Sequence, residues 1–144
     1  MSTPITFRNA KVELSADSTT WTDVSADANM VEVSGFDLET EGTPVFGQGK
    51  RLQTVGNFDL GTVTLKALYA ESTSAAWGMA NTAFEARSAL YIRWSPKGGT
   101  TGDYRYTSDA GYVKQPVWAG GEANASPIMP EIVIETPWIT RSTI

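Results

Sequence analysis

Two glycines constrain this chain more than any other feature. Val31 and Val33 share one parity, but after Gly35 the apolar residues Phe36 and Leu38 fall on the other. Farther on, Phe58 and Leu60 share one parity and Val63, Leu65, Ala67 and Tyr69 the other, with Gly61 between them. Successive side chains of a strand face opposite sides, so a one-residue slip turns the whole apolar set over. A slip at a glycine is the mark of a bulge, which bends a strand. Two long strands, about 29–41 and 57–69, each bent at a glycine, predict a sheet that turns a corner. That is the geometry of a β-sandwich or barrel built from two antiparallel sheets.

The rest of the chain reads as further strands and one helix. Alternation marks strands near 5–14, 90–94, 104–107, 111–118 and 131–139. Between the first strand and Trp21 lies a polar turn, where Asp17 is expected to bond its own backbone. One helix is expected over about 72–89, capped by Ser72 or Thr73, with Trp77, Ala80 and Phe84 as an apolar stripe lying on a sheet. The class is therefore mainly β with one flanking α-helix. The 144 residues are read as one domain, with a long glycine-rich loop at about 42–56 and a C-terminal arm at about 136–144.

Composition removes most chemistry. The chain has no Cys and no His. Disulfide scaffolds, Cys/His metal sites, thiol nucleophiles and Ser-His-Asp catalysis are excluded. No phosphate-cradling glycine motif, nucleophile elbow or calcium loop is present, and carboxylate pairs such as Glu39 with Glu41 occur on any acidic strand. The expectation is no enzyme, no cofactor and no metal. The start, Met1 to Ile5, has no charged or apolar stretch of a signal peptide, and no apolar run reaches bilayer length.

The net charge of −5 gives no basic footprint for gripping nucleic acid. Eight of the sixteen acids lie between Val12 and Gly49, a stretch with no Lys or Arg. Asp37, Glu39 and Glu41, at i, i+2 and i+4, fall on one face of a strand, with Glu32 as an outlying member. Such a face is either solvated surface or a wall that repels a polyanion. The glycine-rich segment carries Val45, Phe46, Lys50, Arg51 and Leu52, an apolar and basic set suited to a subunit contact. Tyr104, Tyr106, Tyr112, Trp94 and Trp118 suit either a sugar-stacking platform or core and subunit interface.

The opening, Phe7 to Ser15, the polar turn to Trp21-Thr22-Asp23-Val24-Ser25, and the strand Met30 to Gly35 resemble the start of major tail tube proteins of long-tailed, non-contractile bacteriophages. The later order agrees: glycine-rich loop, bent strand, one helix, then Tyr91-Ile92-Arg93-Trp94-Ser95-Pro96-Lys97-Gly98 and a hairpin to Val117-Trp118. The resemblance implies six copies in a ring, rings stacked into a tail tube, and genomic DNA passing down the lumen without tight binding. It implies lumen-lining acids at Glu32, Asp37, Glu39 and Glu41, and ring stacking through Val45, Phe46, Lys50, Arg51 and Leu52. Tape-measure, tail-terminator and distal-tail proteins are the implied partners. The virion tail is the implied location, after synthesis in the host bacterial cytoplasm, with no membrane involved. A tail terminator, a head–tail connector or a carbohydrate-binding sandwich are the other readings.

Overall fold

The computed structural model describes residues 3–47, 49–117, 123 and 127–144. Two antiparallel sheets face each other. One runs in the order β11 (Ile139–Thr143), β8 (Tyr104–Ser108), β7 (Tyr91–Ser95), β1 (Lys11–Ser15), β2 (Thr22–Asp23). The other runs β3 (Ala28–Gly35), β6 (Gly61–Ala67), β10 (Glu131–Thr136), β9 (Tyr112–Val117). Strict alternation builds the second sheet: along β6 and β10 every other residue is buried. Val63, Leu65, Ile132 and Ile134 therefore meet Val12, Leu14, Ile92 and Trp94 of the first sheet in one core. Each such side chain contributes about 1.5–3 kcal/mol on burial. The opposite face of this sheet is polar, carrying Glu32, Thr62, Thr64, Lys66, Glu131 and Glu135.

The helix α1 (Ala76–Ala86) is shorter than its sequence pattern and packs on β9. Ala76, Trp77, Ala80 and Ala83 are buried, and Phe84 lies half-buried against the core. Neither Ser72 nor Thr73 caps it. The Ser72 carbonyl accepts the Ala75 N–H in a preceding turn, and the Ser72 and Ser74 hydroxyls bond each other. Ala75 thus stands at the N-cap without a side-chain cap. Arg87, in the left-handed region at φ 54°, ends the helix.

The two glycine slips have a different outcome from the expected bends. Both strands break. Gly35 at φ 83° and Phe36 at φ 57° turn the chain out of the sheet, and it re-enters at Gly61, the register partner of Gly35. Between them, β4 (Leu38–Pro44) and β5 (Arg51–Phe58) pair only with each other. The segment expected as a loop at 42–56 is largely strand, the outer part of this hairpin, with β4 reaching Pro44 and β5 starting at Arg51. With both faces in solvent, the hairpin has no apolar alternation to announce it. For the same reason Leu38, an apolar residue of β4, is exposed. The C-terminal segment is likewise no free arm over its length, because β11 pairs in register with β8 from Ile139 to Thr143.

Candidate functional site

The hairpin β4–β5 is the feature that the core does not require. Its root is anchored by aromatic contacts. The Trp138 ring lies 4.7 Å from Phe58 and 5.7 Å, edge-on, from Phe36. Leu38 is the cross-strand partner of Phe58, so that face of the root is turned toward Trp138. Glu39 and Glu41, of opposite parity to Leu38, are turned to the other face of the hairpin. Asp37 is not part of this row. It lies in the link before β4, and all four acids are exposed.

At the far end of the hairpin the structure brings the five predicted contact residues together. Val45, Phe46, Lys50, Arg51 and Leu52 line one open hollow at the tip. Phe46 is 105% exposed, with no packing partner of its own. A second apolar feature was not legible in the sequence. Val33, Phe36, Trp94, Tyr106, Trp138 and Ile139 line a cleft of about 320 Å³ where the two sheets part near the hairpin root. Trp94 and Tyr106 stack there at 5.7 Å. The available signal was the slipped parity of Phe36 together with an aromatic, Trp138, beyond the last core strand.

The aromatics do not form a platform. Trp94 is buried, Tyr104 and Tyr112 are exposed on different sheets, and Trp118 lies outside the described residues. That geometry does not favour a sugar-stacking surface.

Ionic contacts are few among the described residues. Glu13 accepts two hydrogen bonds from Arg93, at 3.0 and 3.1 Å, and the Arg93 guanidinium stacks 4.2 Å from the Trp21 ring centroid. Lys114 pairs with Glu135 at 3.4 Å. Among the described residues, Lys50, Arg51, Asp37, Asp59 and Asp109 have no ion pair. Three aspartates are held below their ordinary value of 3.8 by turn hydrogen bonds. The backbone N–H groups of Thr20 and Thr19 and the Ser15 hydroxyl do this for Asp17, the Ser25 hydroxyl and N–H for Asp23, and the Thr100 hydroxyl and N–H for Asp103. These are structural turns, and Asp17 bonds its own turn as its position in the sequence predicts. Among the described residues no three acidic side chains are grouped to hold a metal, and no helix is long and apolar enough to cross a membrane.

Two facing sheets, a helix packed on one of them and a projecting hairpin place the chain among known architectures. The fold is that of phage-tail-like tube and terminator proteins. A chain of the six-fold symmetrised anti-feeding prophage baseplate aligns with TM-score 0.73 at 9% identity, covering 99% of this chain and 98% of its own length. A chain from the sheath/tube terminator of an extracellular contractile injection system, in the extended state, aligns at 0.69 and 12% identity, covering 99% of both. A chain from the tail of an empty gene transfer agent particle, refined with C6 symmetry, aligns at 0.68 and 13%, covering 95% and 96%. No family model and no curated protein matches the sequence. The similarity narrows the expectation in one respect. It includes a contractile system, so it supports a phage-tail-like fold and not the non-contractile type in particular.

Proposed function

We propose that this chain is a structural subunit that forms six-membered rings, which stack into the tube of a phage tail or tail-like particle. The observation that carries this is the fold, matched over nearly the whole chain by parts of particles with six-fold symmetry. The strand edges support it. β3 and β9 flank one sheet and offer unpaired backbone, a hazard in a free monomer but a means of joining neighbours in a ring.

In this reading the polar face of the β3–β6–β10–β9 sheet lines the lumen, with Glu32 on it and Glu39 and Glu41 extending the acidic row along the hairpin. Asp37 belongs to the lumen mouth. Six copies at −5 each give a conduit that repels phosphate, so a nucleic acid slides without being held. Tape-measure and terminator proteins are the partners such a tube requires. The test is the charge of the channel. Replacing Glu32, Glu39 and Glu41 by Lys leaves the subunit folded and makes the assembled particle retain DNA. Labels at these positions that react from the outer wall of an intact tube contradict this placement.

A further inference from the structure

The cleft and the hairpin tip are complementary surfaces of one molecule, and they cannot meet within one copy. The seven residues of β4 rise at roughly 3.3 Å each, which puts the tip about 20 Å from the root where the cleft opens. Phe46 therefore projects into solvent while its own chain's cleft stays empty of it. The cleft is almost wholly apolar in its lining: Val33, Phe36, Trp94, Tyr106, Trp138 and Ile139. Its volume, about 320 Å³, is at the low end of the roughly 300–1,000 Å³ typical of ligand sites, enough for an aromatic ring and one aliphatic neighbour.

Charge adds direction. Asp37 adjoins Phe36 in the chain, the Asp59 N–H donates to the Asp37 carbonyl, and the Asp109 N–H donates to the Trp138 carbonyl. Three exposed acids, without ion pairs among the described residues, are thus tied by their backbone to the chain beside Phe36 and Trp138, two residues of the cleft. Arg141, the register partner of Tyr106, is already placed over the Tyr104 ring at 4.9 Å. At the tip, Lys50 and Arg51 line the same hollow as Phe46 and have no ion pair among the described residues.

We infer that the cleft receives the hairpin tip of a second copy of this chain, Phe46 entering among Trp94, Tyr106 and Trp138 while Lys50 and Arg51 meet Asp37, Asp59 and Asp109. Each copy gives one tip and takes one, so the contact is head-to-tail and propagates rather than closing as a two-fold pair. This deepens the tube reading by naming the two halves of the contact between subunits, and it rests on that reading. Burial of a rigid aromatic in a desolvated pocket, ringed by polar contacts, is the usual anatomy of an interface anchor.

The absence of cysteine gives a clean background for the test. Copies carrying Val45→Cys, with Phe46 kept, are mixed with copies carrying Val33→Cys, two positions exposed enough to be changed without disturbing the fold. Under mild oxidation the mixture is expected to yield disulfide-linked dimers. Either variant alone, or Val45→Cys mixed with Thr64→Cys on the polar sheet face, is expected to yield none. Ile139→Cys serves as a second acceptor should the Val33 direction be unfavourable. Phe46→Ser is expected to keep the far-ultraviolet spectrum of the parent and to lose the crosslinking partner's assembly. Tubes that form normally with Phe46→Ser, or that give no crosslink at either acceptor, overturn the inference and leave the tube reading intact. Crosslinked open chains without rings support the docking and overturn the tube reading. Neither assembly nor crosslink overturns both.

Discussion

The ring of Phe36 fills the space that a Cβ on Gly61 would occupy. This contact sets the exit and re-entry of the hairpin, because Gly61 is also the register partner of Gly35 and Phe36 is the second of two residues at positive φ. Bulkier residues have no room, since backbone and ring approach each other across the same few ångströms.

Gly61→Ala is accordingly expected to push Phe36 off its place and loosen the root of the hairpin. Overpacking of this kind costs about 1–3 kcal/mol. Chemical denaturation of the purified variant checks it. A change below about 0.5 kcal/mol means that Phe36 relaxes freely and does not fix the hairpin.

Trp77 is the largest side chain that α1 contributes to the core. Trp77→Ala should destabilise the fold by about 3–5 kcal/mol, measured in the same way. The predicted helix stripe and the observed one coincide at Trp77 and Ala80, so this is also a test of the core as a whole.

Glu13 is 11% and Arg93 19% exposed at the side chain, and their paired hydrogen bonds lie beneath Trp21. Glu13→Ala leaves the guanidinium without its acceptor. A hydrogen bond to a charged group is worth about 1.5–3 kcal/mol, and a loss in that range is expected. The double variant with Arg93→Met should recover part of it, as a thermodynamic cycle would record.

The three turn aspartates give the stability a pH dependence with a definite sign. Their folded values lie below the ordinary 3.8, so their contribution is fully present above that value and is lost as pH falls through the folded ones. Stability should be flat near neutrality and decline below about pH 4. Asp17→Asn should shallow this decline without changing the behaviour at pH 7 to 9. Thermal unfolding across the range reads it out.

Much of the sandwich is legible in the sequence because one face of each core strand is buried. Val63, Leu65, Ile132 and Ile134 alternate for that reason, and the helix stripe is visible for the same one. The hairpin is illegible because neither of its faces is buried, so Thr40, Glu41, Thr54 and Val55 carry no periodic signal. The glycine slips are visible, but a bend and an exit from the sheet leave the same trace in parity. Only the positive φ of Phe36, unusual for a bulky residue, separates the two. The residues gathered at the tip could be named from composition. The cleft could not, since it gathers Val33, Trp94, Tyr106 and Trp138 from distant parts of the chain.

Removing residues 46–52 takes away the tip while leaving the root contacts of Phe36, Phe58 and Trp138. The shortened protein should fold with an unchanged strand spectrum and fail to stack. In the intact protein, assembly should weaken as salt rises, because Lys50 and Arg51 contribute through charge and the screening length falls to roughly 3 Å at 1 M. Sedimentation of both proteins over a salt series measures this.

Self-assembly into rings that stack is the central property proposed for this chain. Negative-stain electron microscopy of the purified chain, at low salt and high concentration, tests that directly. Six-fold rings in end view and tubes of uniform width in side view are the predicted result. A field of separate monomers at every concentration, confirmed as monomers by sedimentation, contradicts it.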